Sequence, residues 1–249
     1  MKITKLSNIV GGQDGAIFKN YLFRFSSKGG CTVYDLTKIE ENMTPIAEFK
    51  LDGIDCIVDF SHHSAVGTLL EFAVKHGIPT VVATTGHTEE EISAIRAAAE
   101  KIPVFYSGNM SLGIALLIEL AKITALAMPE AEIEIIEKHH NRKLDAPSGT
   151  ALMLANAICE VKPESYSHVG RSGQGKRTPE EIGIHSIRMG NVVGVHEVIV
   201  GTKNQTITLT HEAHDRALFA EGGLAAAAFL VGCEAGLYDM SSLVGEREA

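Results

Sequence analysis

The chain has 249 residues, enough for one large or two modest domains at roughly 100–200 residues each. Its 22 Lys and Arg against 31 Asp and Glu leave a net charge of −9, which argues against nonspecific nucleic-acid binding, because that rests on a cationic surface. The four dispersed cysteines form no CxxC pair, which speaks against a disulfide scaffold or zinc ribbon and for a reducing cytoplasm.

Residues 1–6 lack the apolar run of a signal peptide, and the most apolar stretch, 224–231, is too short to span a bilayer. A soluble cytoplasmic protein with no membrane partner is expected. Residues 1–52 carry short aromatic or alternating runs at 21–25, 31–34 and 46–51, separated by turn signals such as Ser27-Lys28-Gly29-Gly30. They predict an antiparallel hairpin or meander. From Gly53 strands and helices alternate: strand 56–60, helix 65–76, strand 79–83, helix 88–101, strand 104–106 and a long apolar helix 112–128. Thr88 and Glu91 form a capping box, and Ser111 is a candidate cap for the long helix. This rhythm implies parallel strands with right-handed crossovers. After Pro129 the pattern predicts a strand over 132–138 with Ile133 and Ile135 on one face, and a helix over 151–159. Three strands, 182–189, 192–200 and 205–212, then form an antiparallel meander, and a helix over 222–235 closes the chain.

The densest chemistry lies at His139-His140-Asn141-Arg142-Lys143-Leu144-Asp145-Ala146-Pro147-Ser148-Gly149-Thr150, between a strand end and a helix start. Amides at a helix N-terminus attract anions. Ser148 or Asp145 is suited to cap, Gly149 and Thr150 offer N–H groups and a hydroxyl, and Lys143 adds a mobile cation. Imidazoles exchange protons near neutral pH. The residues therefore suit an anionic, carboxylate-bearing ligand with proton transfer at hand. Two other readings stay open: a solvated turn, and a metal site. The second is weakened because adjacent residues on a strand point to opposite sides. His62-His63 read as a polar helix start with no assigned role.

The segment 134–151 is similar to the signature of the dihydrodipicolinate reductases. That resemblance implies His139 as proton donor or acceptor, Lys143 as proton donor and substrate contact, and His140, Ser148, Gly149 and Thr150 as binders of a small-molecule dicarboxylate, with Arg216 helping. Ala83-Thr84-Thr85-Gly86 resembles the family's Gly-Thr-Thr-Gly loop, with Ala in place of the first Gly; Thr85 would also touch substrate. Phe60, Ala83, Thr84, Thr85, Ser107, Gly108, Asn109 and Met110 are implied to contact the cofactor, NADH or NADPH. The implied activity is reduction of 4-hydroxy-tetrahydrodipicolinate in lysine biosynthesis by a homotetramer.

The implied fold is α/β. A Rossmann-like dinucleotide-binding domain, atypical and β-rich over 1–52, is expected at 1–110 and 220–249. An α+β substrate-binding and oligomerisation domain with a mixed or antiparallel sheet is expected at 111–219. Where the family has Gly-x-x-Gly-x-Met-Gly before a helix, this chain has Gly11-Gly12-Gln13-Asp14-Gly15 before a strand-like run, so residues 1–52 are expected not to match. Asp35 reads as a turn residue. The competing expectation is a cofactor-deficient, silent homologue or fusion that binds a dicarboxylate or a protein partner.

Overall fold

A computed structural model describes residues 20–25, 31–35 and 55–245. The chain divides into two compact units, Met1–Ser111 with Ala217–Ala249, and Leu112–Arg216.

The first unit is built on a six-stranded sheet. Its strands are β1 (Asn20–Phe25), β2 (Cys31–Asp35), β3 (Cys56–Asp59), β4 (Thr80–Val82), β5 (Pro103–Tyr106) and, from the end of the chain, β11 (Gly236–Tyr238). The order is β11-β5-β4-β3-β1-β2. β3, β4, β5 and β11 run parallel, whereas β1 pairs antiparallel with both β2 and β3. The expected hairpin is thus present at β1–β2. Asp35 ends β2 instead of sitting in a turn, since its backbone pairs with Tyr21. The run at 46–51 and the glycines at 11–15 lie outside the described residues.

The apolar runs of β3 and β4 are buried throughout, as strands covered on both faces require. Helices α1 (Val66–His76) and α2 (Glu89–Ala99) close over them, burying Leu69, Leu70, Phe72 and Ile95. α1 ends where Gly77 turns left-handed at φ 64. At the start of α2 the Thr88–Glu91 capping box forms as expected: Glu91 N–H donates to Thr88 Oγ1 at 3.3 Å and Thr88 N–H to Glu91 Oε2 at 2.8 Å. Helix α5 (Ala217–Leu230) packs on β3, β4 and β5. It begins five residues before the expected helix and ends earlier, and β11 and the short α6 (Met240–Gly245) follow it. Its glycines allow this approach. A Cβ on Gly222 would stand 1.6 Å from the Met110 carbonyl oxygen, and one on Gly223 would stand 2.9 Å from the Phe60 ring.

The second unit carries a five-stranded mixed sheet under α3 (Leu112–Ala127) and α4 (Gly149–Val161). Its strands are β6 (Glu132–His139), β7 (Tyr166–Val169), β8 (Glu181–Arg188), β9 (Gly194–Gly201) and β10 (Thr206–Ala213), in the order β10-β9-β6-β8-β7. The expected three-strand meander is corrected here. β9 and β10 form a hairpin, but β6 separates β9 from β8, antiparallel to the first and parallel to the second. At the sheet centre a strand on each side shields the inward Ile133 and Ile135 of β6. Ile133, Ile135, Ile182, Ile184, Val198, Val200, Leu154 and Ile158 form that core.

Candidate functional site

The alternation that buries Ile133 and Ile135 does not stop with them. Successive side chains on a strand point to opposite faces, so Glu137 and His139 follow the isoleucines inward and are buried. β8 lies beside β6 with His139 paired to Arg188, and β9 lies on the other side with Glu137 paired to His196. Register alone thus gathers a carboxylate, a guanidinium and two imidazoles at the end of one strand.

Glu137 is the hub. Arg188 grips it bidentately, Nη1 to Oε2 and Nη2 to Oε1, both at 2.7 Å. Its Oε2 is 2.6 Å from His139 Nδ1, and its Oε1 accepts from the Ser148 amide at 3.1 Å. Burial would raise the Glu137 carboxyl, but hydrogen bonds from His139, Arg188 and Ser186 outweigh it and hold the group well below the usual carboxylate range. An ionised carboxylate only accepts, so His139 Nδ1 carries a proton toward it and Nε2 is left as the exchanging nitrogen. That nitrogen lies against Gly194, where a Cβ would come within 3.1 Å. Arg188 also donates to the Asp145 carbonyl at 2.7 Å, so the same cation anchors the loop that carries Lys143.

Lys143 is turned back by its amide donating to the His140 carbonyl at 3.2 Å, and its Nζ pairs with Asp145 Oδ1 at 2.8 Å. Desolvation opposes ionisation of Asp145, but the Lys143 hydrogen bond and charge prevail and lower its carboxyl. His140 follows the strand end and is half-buried. Desolvation, then the positive charges of Arg142, Arg216 and other neighbours, lowers it below the ordinary imidazole value, so it is neutral at pH 7. Arg216, exposed, is therefore within electrostatic reach of the site.

Ser148, not Asp145, caps α4: its Oγ accepts from the Ala151 amide at 3.2 Å. Gly149 and Thr150 follow as its first residues, so the positive end of the helix dipole belongs to this cluster. The Ser148 hydroxyl also meets His196 Nε2 at 3.0 Å. Burial, the largest cause, and the neighbouring His139 charge lower His196 to about 4. Its folded value lies below the ordinary 6.5 of the unfolded chain. As pH falls from 6.5 towards 4 the unfolded chain takes up a proton that the folded chain refuses, and stability is lost across that window. The loss amounts to about 3 kcal/mol. Denaturant unfolding of His196→Asn at pH 7 and pH 5 is expected to show a weaker pH dependence than wild type; equal dependence would contradict this account.

In the first unit the other expected residues collect where parallel strands end, the usual ligand edge of such sheets. Thr84 is buried while Thr85 and Gly86 are exposed, with Gly86 at φ 84 and Ala83 half-buried before them. Ser107 is buried, and its hydroxyl donates to the Asn109 carbonyl at 2.9 Å; Asn109 Oδ1 accepts from the Ser111 amide at 2.8 Å. Gly108 is exposed. Met110 is only 2% exposed, so its backbone and not its side chain is the part that could meet a ligand. Phe60 packs on Gly223. Thr85, Gly86 and Gly108 leave a hydroxyl and backbone polar groups open at this edge, donors and acceptors of the kind a polar ligand needs. His139, His140, Lys143, Ser148, Gly149, Thr150 and Arg216 belong to the second unit. Sequence reasoning gave Glu137, Arg188 and His196 no role. Glu137 had a signal, an acid in phase with Ile133 and Ile135 on a buried face; Arg188 and His196 lie in the run Arg188-Gly190-Gly194-His196, which also resembles the family, but nothing in that run points to Glu137.

Among the described residues no helix is long and apolar enough to cross a membrane, and no group of three or more His, Cys, Asp or Glu could hold a metal ion.

Comparison with known proteins gives a consistent result. The family model for the N-terminus of dihydrodipicolinate reductase matches residues 25–110, and that for its C-terminus matches residues 113–244. The 4-hydroxy-tetrahydrodipicolinate reductase of Caldanaerobacter subterraneus subsp. tengcongensis is 50% identical over 192 residues, 76% of each chain. Its counterpart in Exiguobacterium sibiricum is 37% identical over 233 residues, 92% of this chain and 94% of that one. Among solved structures, the dipicolinate-bound dihydrodipicolinate reductase from Paenisporosarcina sp. TG-14 aligns with TM-score 0.65 and 27% identity, over 76% of this chain and 74% of that one. The match begins at residue 25. This corrects the expectation that all of 1–52 lies outside the family.

Proposed function

This chain belongs to the dihydrodipicolinate reductase family, and from that premise we propose that it reduces 4-hydroxy-tetrahydrodipicolinate with NADH or NADPH, using His139 and Lys143 for proton transfer. The observation that carries the reading is the Glu137–His139 pair beside the Lys143–Asp145 pair, at the start of α4. A bound nicotinamide would supply hydride to the substrate ring. Ala83–Gly86 and 107–110 are the described segments suited to hold it.

The protein's own residues do the rest. Lys143 and Arg216 supply positive charge, and the Gly149–Thr150 helix start supplies dipole and amides, for the carboxylates of a dicarboxylate substrate. Neutral His140 offers a hydrogen bond without adding charge. Lys143 Nζ would give a proton to the ring, and His139 Nε2 would assist or accept one, with Glu137 stabilising the imidazolium that would form. The two-domain division and the roles of individual residues belong to this proposal, as do the cytoplasmic location and the homotetramer. Half-exposed Ile136, Ile187 and Ile199 on the outer face of the second sheet support an assembly through that face. No observation favours a silent dicarboxylate or partner binder.

The test is turnover: purified protein supplied with 4-hydroxy-tetrahydrodipicolinate is expected to consume NADH or NADPH. Failure with both cofactors, in folded protein that binds pyridine-2,6-dicarboxylate, would overturn the reading.

A further inference from the structure

A second polar cluster, at the carboxyl edge of the first sheet, takes no part in proton transfer. Asp59, which ends β3, is fully buried, and its Oδ1 accepts from the Ser61 amide at 2.9 Å and the Ser61 hydroxyl at 2.5 Å. The Thr84 hydroxyl lies beside it and 2.9 Å from His87 Nε2. The His87 side chain is wholly buried; its ring stands edge-on to Tyr106, which ends β5, at 5.5 Å. Its Nδ1 stands 3.5 Å from Glu91 Oε2 without a hydrogen bond to it. Glu91 is the capping-box residue of α2, and it also meets His63 Nδ1 at 2.9 Å. One imidazole therefore bonds to the loop after β4 and packs against the first turn of α2, while Glu91 bonds to the segment after β3.

A packing role alone does not explain the residue. Burying an imidazole costs desolvation that a phenyl ring of similar shape avoids, and a phenyl ring would contact Tyr106 equally well. What only a nitrogen-bearing side chain provides is the bond to Thr84. Thr84 points inward and Thr85 outward, so fixing the Thr84 hydroxyl fixes the backbone that presents Thr85 and Gly86.

We propose that His87 is a positioning residue, a buried latch that bonds the Thr84 hydroxyl, packs beside the first turn of α2, and holds the Ala83–Gly86 loop in the conformation that receives the nicotinamide cofactor. The inference rests on the proposed function, since it takes that loop as a cofactor contact.

The test compares wild type, His87→Phe and His87→Gln. NADH and NADPH affinities are read by fluorescence titration, and kcat and KM are measured for cofactor and for the dicarboxylate. His87→Phe is expected to raise the cofactor Kd and KM about 3- to 10-fold, the loss of one hydrogen bond, with kcat within about twofold of wild type. The KM for the dicarboxylate at saturating cofactor stays unchanged. His87→Gln, whose amide can reach the Thr84 hydroxyl, recovers most of the affinity. Unchanged cofactor affinity in His87→Phe overturns the latch, and so does a His87→Gln no better than His87→Phe. A wild type that binds neither cofactor overturns the functional reading and the latch with it.

Discussion

Lys143→Ala is expected to lower kcat by about 10²- to 10⁴-fold, the range over which a positioned proton donor contributes. The structure holds Lys143 in a defined position. Its backbone is folded back on the His140 carbonyl, and its ammonium is steered by Asp145 at 2.8 Å, within a loop pinned by Arg188. Its removal should leave the fold intact, because a partly exposed Lys–Asp pair contributes only about 0–1 kcal/mol to stability. A large fall in kcat with an unchanged denaturation midpoint is therefore the expected signature. His139→Ala should fall less far if Lys143 is the donor and His139 assists it. Steady-state kinetics of wild type, Lys143→Ala and His139→Ala in parallel decide the matter. Equal rates in all three would remove both residues from the chemistry.

Glu137 should show the largest effect on stability. Glu137→Ala removes the counter-charge of Arg188, which keeps only backbone carbonyls, strands the proton on His139 Nδ1, and leaves the Ser148 amide without its acceptor. Breaking a buried ion pair from one side costs about 3–5 kcal/mol, to be read from denaturant unfolding. Glu137→Gln separates folding from function, since it keeps the volume but replaces one acceptor oxygen with a donor. In either orientation its amide nitrogen meets an Arg188 N–H, and beside it the donor of His139 or of the Ser148 amide; relief at His139 moves the proton to the wrong nitrogen. A fall in kcat/KM of about 10- to 100-fold is expected, matching the 1.5–3 kcal/mol carried by a charged hydrogen bond. The pH dependence has a definite sign. Because the folded carboxyl is lowered, its stabilisation is complete above the ordinary Glu value of about 4.3. It is lost as pH falls below that value towards the folded one. Wild type should therefore lose stability in acid more steeply than Glu137→Gln; parallel curves would contradict the assignment.

Features that depend on neighbours in sequence were legible. The Thr88–Glu91 capping box, the buried strands at β3 and β4, the inward face of Ile133 and Ile135, and the Ser148 helix start all repeat or pair within a few residues. Local sterics and hydrogen bonding suffice to specify them. The order of the second sheet was not legible. The strands that became β8, β9 and β10 have the length and turns of a meander, and nothing within them says that β6 will insert between two of them. That outcome depends on which apolar face most needs a neighbour on each side. The ends of α5 were blurred for a related reason. Its glycines read as weak helix formers, while the contact with Met110 and Phe60 that rewards them is tertiary.

By itself, then, the sequence determined the α/β character, the His139–Thr150 segment and the family to which it points. Periodicity and short-range motifs are written in consecutive residues. The tertiary structure alone decided that Glu137 governs the site. Its partners Arg188 and His139 are 51 and two residues away along the chain, and His196 meets Ser148 across a separation of 48. Register between strands brings them together. A buried carboxylate has a role only once the donors that surround it are in place.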